Sequence, residues 1–163
     1  ADGEINATVC DLSEGMVNAG KRKHGMAYNW VVGDGLQLPF CDRSFDAVTM
    51  AFGLRNVADI HQCLSEIYRV LKPGGRFLCL EFSHVHLPVM RELYEEYSFK
   101  MIPRLGAWVA RDRAAYQYLV ESIRRFPTQE KLALNMEQCQ FQNVAWRNLS
   151  GGIAAMHRGF RIS

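Results

Sequence analysis

The chain has 163 residues, of which 48% are hydrophobic and 22% are charged, and its formal net charge at pH 7 is +2. This length and composition are typical of a single globular domain built around one core. The sequence has no basic stripe interleaved with aromatic residues, which argues against nucleic-acid binding, and no run near the roughly 20 apolar residues that a membrane span requires.

The predicted elements alternate between strands and helices, which is typical of a mostly parallel sheet covered on both faces. Strands are predicted at residues 6–10, 28–32, 45–51 and 76–82. Helices are predicted from Ser13 to about 23, from Asp59 to about 71, over about 88–101 and 114–125, and from Thr128 to about 139, with these three named residues as N-terminal caps. Two final strands, at 144–146 and 152–162, are expected to be antiparallel because a turn-rich connection joins them.

The helix after Asp59 is followed by a strong stop signal, Lys72-Pro73-Gly74-Gly75. Proline cannot continue a helix, and glycine accepts the left-handed backbone of the turn that follows. The sequence therefore predicts that this turn ends the helix and that the next strand begins at Arg76. There are no repeats and no low-complexity linker, so residues 1–163 are interpreted as one domain.

The cysteines are odd in number and scattered, without a Cys-x-x-Cys pair. They are Cys10, Cys41, Cys63, Cys79 and Cys139. This spacing predicts reduced, buried thiols rather than a disulfide framework or a zinc site. His84 and His86 have no third ligand at motif spacing, so no metal site is predicted.

Polar residues follow three of the predicted strands, at the carboxyl edge where an open α/β sheet binds ligands. Asp11 is suited to accept hydrogen bonds from ribose hydroxyls, and equally to cap the following helix. Asp34 and Gly35 are suited to a purine amino group or to a plain turn. Arg55 and Asn56 are expected to face the crevice, because polar side chains at the ends of buried strands point there.

Four segments resemble the ubiquinone/menaquinone biosynthesis C-methyltransferase (UbiE-like) family. They are GDGLQLPF at 33–40, FGLRNV at 52–57, RVLKPGGRFLCLEFS at 69–83 and YQYLVESIRRFP at 116–127. The LKPGG turn alone marks only a class I methyltransferase, whereas the four segments together are specific to the family. The resemblance covers essentially the whole chain. The amino-acid sequence at 77–83 and 97–103 is closer to the mitochondrial branch of the family than to the bacterial one.

The resemblance implies a class I, Rossmann-like fold, with a mostly parallel sheet and an antiparallel C-terminal pair. It also implies methyl transfer from S-adenosyl-L-methionine (SAM) to a ring carbon of a polyprenylated benzoquinol, with a naphthoquinol as the alternative ring. By matching position, Asp11 would hold the ribose of SAM, Asp34 and Gly35 would hold the adenine, and Ala51 would line the cofactor pocket. Arg55 and Asn56 would be catalytic and face the quinol ring.

Two departures from the family pattern are visible. Relatives place a strand and a glycine-rich loop before the first strand predicted here, so the domain is expected to be incomplete at its N-terminal side. That strand is central in the class I fold, and a parallel sheet cannot omit its middle without leaving buried backbone groups unpaired. Gln140 stands where relatives have a glycine-containing helix stop, and we expect it to take a left-handed conformation at a cost of about 1 kcal/mol.

A polyprenyl substrate implies an apolar channel and peripheral contact with a membrane, with Trp108 as an interfacial anchor. The channel residues are expected to come from the stretch 90–108, although an apolar helical face more commonly packs on the core. The expected location is the matrix side of the mitochondrial inner membrane, with the bacterial cytoplasm as the alternative. A homodimer and a quinone-biosynthesis complex are both compatible with this interpretation.

Other functions stay open at this point. A SAM methyltransferase for another small acceptor would carry the same cofactor residues. A nicotinamide dehydrogenase also places an acid after its second strand, but the turn at 72–75 and the antiparallel C-terminal pair disfavour it. A catalytically silent scaffold subunit of a quinone-biosynthesis complex would fit a chain that natively lacks the glycine-rich loop.

Overall fold

The computed structural model describes residues 6–83 and 113–163. Its strands are β1 (Thr8–Asp11), β2 (Asn29–Val32), β3 (Phe45–Ala51), β4 (Leu71–Phe82), β5 (Gln142–Leu149) and β6 (Ala154–Phe160). Its helices are α1 (Glu14–His24), α2 (Ile60–Val70), α3 (Arg113–Arg125) and α4 (Gln129–Gln138), with short 3-10 turns at Gly25–Ala27, Leu54–Asn56 and Ser150–Gly152. The helix predicted at 88–101, the channel residues and the pair His84 and His86 lie outside the described residues.

The strands form two hydrogen-bonded groups. Strands β1 and β2 pair in parallel, and a four-stranded sheet has the order β3-β4-β6-β5. In that sheet β3 and β4 are parallel, while β6 runs antiparallel to both β4 and β5. This confirms the predicted α/β fold and its antiparallel C-terminal pair, while the described ladders are two parallel and two antiparallel where a mostly parallel sheet was expected. Within residues 6–83 and 113–163 no ladder joins β1 to β3, which is the arrangement expected if the family's central strand belongs between them.

The three predicted helix caps are confirmed. The side chains of Ser13, Asp59 and Thr128 each accept a hydrogen bond from the amide three residues later, at 3.3, 3.0 and 3.4 Å. An oxygen at this position satisfies one of the amides that the first turn of a helix leaves unpaired. The predicted left-handed residue is also confirmed, because Gln140, two residues after the end of α4, has a φ of 71°.

The core lies between α2, α4 and the four-stranded sheet. The buried face of α2 consists of Cys63, Leu64, Ile67 and Val70. Leu64 and the β4 residue Phe77 are fully buried in one cluster with Phe141, whose ring lies 5.7 Å from that of Phe77. This packing holds β4 in place, and the carboxyl end of β4 therefore has a fixed position.

The predicted end of α2, at about residue 71, is confirmed to within one residue, but the predicted start of the next strand at Arg76 was wrong. The helix ends at Val70 and β4 begins at once with Leu71, so the Lys72–Gly75 turn lies inside the strand as an irregularity. The last carbonyls of α2 find partners that local sequence cannot reveal: the amides of residues 43 and 44, and the guanidinium of Arg161. With these carbonyls satisfied, the helix needs no glycine stop. Gly74, at φ +82°, makes the turn inside the strand instead.

The prediction for the cysteines was partly wrong. Cys63, Cys79 and Cys139 are buried as expected, but Cys10 is half-buried and Cys41 is exposed; all five are free. Burial raises the pKa of the Cys63 thiol to about 12, so this thiol stays protonated at neutral pH. Among the described residues no helix is both long and apolar enough to cross a bilayer.

His157 gives the folded chain a pH-dependent stability. It is buried in β6, and burial lowers the pKa of its imidazole below the usual value near 6.5, although a hydrogen bond with the Gln129 carbonyl and the charge of Glu130 oppose this. The unfolded chain therefore takes up a proton that the folded chain resists. We expect this stability to be complete above about pH 6.5 and to fall as the pH drops below it, by at most about 1.4 kcal/mol per pH unit.

Chemical denaturation of wild type and His157→Gln between pH 7.5 and 5 measures this effect. The variant should show a flatter pH profile, whatever its stability at pH 7.5. Replacing Gln138, an exposed residue of α4 without an ionisable side chain, by Ala is the control and should leave the wild-type slope unchanged. Equal slopes for wild type and His157→Gln would contradict the expectation.

Candidate functional site

Asp11 and Asp34 lie at the same edge of the β1–β2 pair. The two strands are parallel, and Asp11, the last residue of β1, is paired with Val32, the last residue of β2. Asp34 follows two residues later. The carboxyl ends of parallel strands meet at one edge, so the structure brings these two predicted cofactor residues together.

One oxygen of the Asp11 carboxylate makes a hydrogen bond within its own loop, and the other is available to a ligand. Its Oδ1 accepts a hydrogen bond of 2.8 Å from the amide of Ser13, just before α1. The side chain is exposed, and Oδ2 has no hydrogen bond within residues 6–83 and 113–163. The local hydrogen bond fixes the orientation of the carboxylate. The free energy of ligand binding at the second oxygen is therefore not reduced by a need to order this side chain.

The segment from Gly33 to Gly35 is a tight turn as well as a candidate binding loop. The Oδ1 of Asp34 accepts from the amide of Leu36 at 2.9 Å, and its carbonyl accepts from the amide of Gln37 at 3.1 Å. A Cβ on Gly33 would lie only 2.9 Å from the sulfur of Cys10, so the backbone passes close to β1. The two predictions for Asp34 and Gly35, a plain turn and a site for a purine amino group, are therefore both compatible with this geometry.

The loop also packs towards α2. A Cβ on Gly35 would lie 3.4 Å from the sulfur of Cys63 and 3.9 Å from a methyl of Val57. Val57 follows the Leu54–Asn56 turn, which carries the other two predicted site residues. Gly35 thus connects the β1–β2 edge to the segment that contains Arg55 and Asn56.

The end of β3 has a strained backbone. Ala51 is exposed and pairs with Leu80, and the next residue, Phe52, has a φ of 55°. Left-handed backbone is uncommon for a bulky residue and is concentrated at functional sites. Two contacts hold it here: the amide of Phe52 donates to the Leu80 carbonyl at 2.8 Å, and its ring lies 4.7 Å from that of Phe82.

Arg55 forms an ion pair with Glu81 at the carboxyl end of β4. The Nη1 of Arg55 lies 3.3 Å from Oε2 of Glu81 and also donates to the carbonyl of Phe52. The side chains are 12% and 1% exposed, respectively. The guanidinium carbon lies 5.3 Å from the centre of the Phe82 ring, a cation–π distance. The Nε of Arg55 is buried and has no hydrogen-bond partner in the described part of the chain.

Asn56 joins the same turn to α3. Its Nδ2 donates to the Phe52 carbonyl at 3.4 Å, and its Oδ1 accepts from the hydroxyl of Tyr118 at 3.1 Å. Both Asn56 and Tyr118 are exposed. Tyr118 therefore fixes which end of the Asn56 amide points towards α3.

An open cleft of about 550 Å³ lies between this turn, the start of α2 and the end of α3. Its lining residues are Arg55, Val57, Ala58, Asp59, Ile60, His61, Ser122, Arg125 and Phe126. Neither Asp11 nor Asp34 is among them. The structure thus gathers the predicted residues into two groups, at the β1–β2 edge and at the end of β3, which Gly35 and Val57 connect.

Sequence reasoning missed Glu81 and Tyr118. The signal for Glu81 was a single acid in the otherwise apolar end of β4, at a position whose alternation pointed it towards the core. Tyr118 gave no comparable signal, because its partner lies 62 residues away in the chain.

The chain matches the model of the ubiE/COQ5 methyltransferase family over residues 1–161. It is 50% identical to a mitochondrial 2-methoxy-6-polyprenyl-1,4-benzoquinol methylase of Oryza sativa over 98% of its own length and 56% of that protein. It is 51% identical to the ubiquinone/menaquinone biosynthesis C-methyltransferase UbiE of Methylobacterium nodulans, over 98% of the chain and 65% of the relative. The chain thus spans a little over half the length of these curated relatives.

The fold is also found in solved structures of low sequence identity. A SAM-dependent methyltransferase from Thermotoga maritima superimposes with a TM-score of 0.66 at 21% identity, over 95% of this chain and 72% of that one. This likeness confirms the predicted class I methyltransferase fold.

Proposed function

The chain belongs to the ubiE/COQ5 methyltransferase family, and from this premise we propose that the protein containing it transfers a methyl group from SAM to a ring carbon of a polyprenylated benzoquinol in ubiquinone biosynthesis. One observation of the site carries the proposal. An ion-paired arginine, 12% exposed, follows β3 and has an Nε without a hydrogen-bond partner among the described residues, and the β1–β2 edge, connected to it through Gly35 and Val57, presents two oriented carboxylates. Such a site suits a cationic, ribose-bearing donor next to an oxygen-bearing ring.

The residues at the β1–β2 edge fit the cofactor. Asp11 and Asp34 each hold one carboxylate oxygen in a local hydrogen bond and keep the other for a ligand. We assign Asp11 to the ribose hydroxyls and Asp34 with Gly35 to the adenine. We assign the exposed Ala51 to the lining of the cofactor pocket, where its methyl side chain leaves room for the ligand. SAM, when bound, supplies a methyl group on a positively charged sulfur.

Arg55 and Asn56 act on the quinol. Methyl transfer from a sulfonium sulfur to a carbon is an in-line displacement, so holding the ring carbon about 3–3.5 Å from the methyl supplies much of the rate. Loss of the neighbouring hydroxyl proton makes that carbon a better nucleophile. A guanidinium is a poor base, so the role of Arg55 is to stabilise the negative charge that develops on the ring oxygen. Asn56, held by Tyr118, orients the same oxygen or a water.

The mitochondrial name of the Oryza sativa relative supports a mitochondrial location, and the bacterial relative fits the alternative of a bacterial cytoplasm. Within a mitochondrion we place the protein on the matrix side of the inner membrane, because a polyprenyl tail on the substrate supports peripheral contact with that membrane. Assembly into a homodimer or a quinone-biosynthesis complex belongs to the same proposal. Flotation of the complete protein with liposomes tests the membrane contact; a protein that stays entirely at the bottom of the gradient would contradict it.

A methyl-transfer assay tests the function. The complete natural polypeptide that contains these residues is incubated without oxygen with methyl-labelled SAM and a reduced, short-tail 2-methoxy-6-prenyl benzoquinol. We expect a label on a ring carbon, located by NMR of the product. The oxidised quinone is the matched control and should accept little label, because its ring is electron-poor. Label on oxygen would show a different acceptor chemistry, and SAM binding without transfer to any acceptor would favour a scaffold role.

A further inference from the structure

Glu81 is a carboxylate in an unusual place. Within residues 6–83 and 113–163 it is the one Asp or Glu whose side chain is fully buried, at 1% exposure. A buried carboxylate is costly unless a cation and hydrogen bonds compensate for its lost hydration. A hydrophobic residue at this position would fill the same space at the end of β4, so the charge calls for a specific explanation.

The contacts of Glu81 converge on Arg55. Its Oε1 accepts from the backbone amide of Arg55 at 3.2 Å, and its Oε2 accepts from the Nη1 of the same residue at 3.3 Å. Oε2 also accepts from the amide of Phe82 at 3.2 Å, which ties the carboxylate to its own strand. One carboxylate therefore fixes both the main chain and the guanidinium of Arg55 relative to β4.

Only part of the guanidinium is used by these contacts. Nη1 is shared between Glu81 and the Phe52 carbonyl, and the face of the group lies on the ring of Phe82. Among residues 6–83 and 113–163, the buried Nε has no hydrogen-bond partner and Nη2 has no hydrogen bond. Buried donors in native proteins are normally satisfied, so an unpaired buried Nε points to an acceptor that a ligand brings. Arg55 also lines the cleft, which gives such a ligand a place.

We propose that Glu81 is a positioning residue: it clamps Arg55 so that Nε and Nη2 face the place that an oxygen of the hydroxylated ring will occupy. The proposal rests on the proposed function for the identity of that ligand. Glu81 itself touches neither substrate nor cofactor. Its effect passes through Arg55, because a preorganised donor costs no reorganisation when negative charge develops on the ring oxygen.

A double-mutant cycle in the complete protein tests this. Glu81→Gln preserves shape but removes the charge, and we expect it to lower kcat by about 100-fold, the loss that a misplacement of about 1 Å produces. The KM for SAM should stay within about twofold, since the β1–β2 edge is untouched. The decisive variant is Glu81→Gln combined with Arg55→Gln, which should be no slower than Arg55→Gln alone. An undiminished effect of Glu81→Gln in the Arg55→Gln background would overturn the proposal.

Side-chain NMR gives a readout that does not depend on turnover. The ¹⁵Nε–H signal of Arg55, assigned by its loss in Arg55→Gln, should report an ordered group in the wild type and a mobile one in Glu81→Gln. Glu137→Gln, an exposed residue of α4, is the matched control and should leave the signal ordered. Equal order in wild type and Glu81→Gln would overturn the proposal. If Glu81→Gln does not fold, Glu81→Asp, which keeps the charge but shortens the side chain, takes its place.

The two proposals fail separately. A wild-type protein that methylates no quinol refutes the proposed function, while the NMR comparison still decides whether Glu81 positions Arg55. A wild-type protein that methylates the quinol, with a Glu81→Gln variant of equal kcat, refutes the positioning role alone.

Discussion

Arg55→Ala should lower the free energy of unfolding by about 3–5 kcal/mol, the usual cost of leaving a buried charge without its partner. Glu81 is 1% exposed and would keep only the amides of Arg55 and Phe82 as donors. The same change should lower kcat by about 10²–10³-fold, the loss typical of removing one donor from a developing oxyanion. Thermal or urea unfolding and steady-state kinetics measure the two effects.

A single alanine variant cannot separate these two effects, because a partly unfolded enzyme is also slow. The double variant Arg55→Met with Glu81→Leu separates them. It replaces the ion pair by apolar side chains of similar volume, which is often neutral or stabilising. We expect it to recover most of the lost stability and none of the lost turnover. Arg124→Ala, at an exposed position of α3, is the control and should change the stability by less than about 0.5 kcal/mol. Recovery of turnover in the double variant would show that Arg55 has no chemical role.

The parts of the fold that sequence predicted well are those fixed by local rules. Helix starts at Ser13, Asp59 and Thr128 depend on one side-chain oxygen and an amide three residues away, so a single sequence reveals them. The antiparallel end of the sheet was equally visible, because a glycine-rich turn joins its two strands. Strand β5 nevertheless extends over Gln142–Leu149, well beyond the three residues predicted, since pairing with β6 decides its length.

The parts that sequence missed depend on partners distant in the chain. Arg55 was identified as a site residue, but its ion pair with Glu81 spans 26 residues and needs the parallel pairing of β3 with β4. The role of the turn at 72–75 was mispredicted for the same reason, because Arg161 binds two of the last carbonyls of α2 across more than 90 residues and the helix does not depend on that turn to end. The function could be predicted from the motifs and their positions in the chain. The buried charge of Glu81, which holds Arg55, is visible only in the folded structure.

The largest effect on cofactor binding is expected at Asp11. Asp11→Ala removes both carboxylate oxygens, the one that holds the amide of Ser13 and the one available to ribose hydroxyls. Hydrogen bonds to a charged group contribute about 1.5–3 kcal/mol, so the dissociation constant of SAM should rise by about 10–100-fold. Isothermal titration calorimetry of the complete protein with SAM measures it. The KM for the quinol should change little, because the ring is assigned to the end of β3.

Asp11→Asn separates the local role from the binding role. The asparagine Oδ1 can still accept from the amide of Ser13, so the start of α1 should keep its stability. Its Nδ2 is a donor in place of an acceptor, so the variant should bind SAM nearly as weakly as Asp11→Ala. Asp46→Asn is the matched control: Asp46 pairs with Lys72 near the opposite end of β3, and its loss should leave SAM binding unchanged. If Asp11→Asn bound SAM like the wild type, the carboxylate would be only a helix-start residue, and the cofactor would have to be held by other groups at this edge.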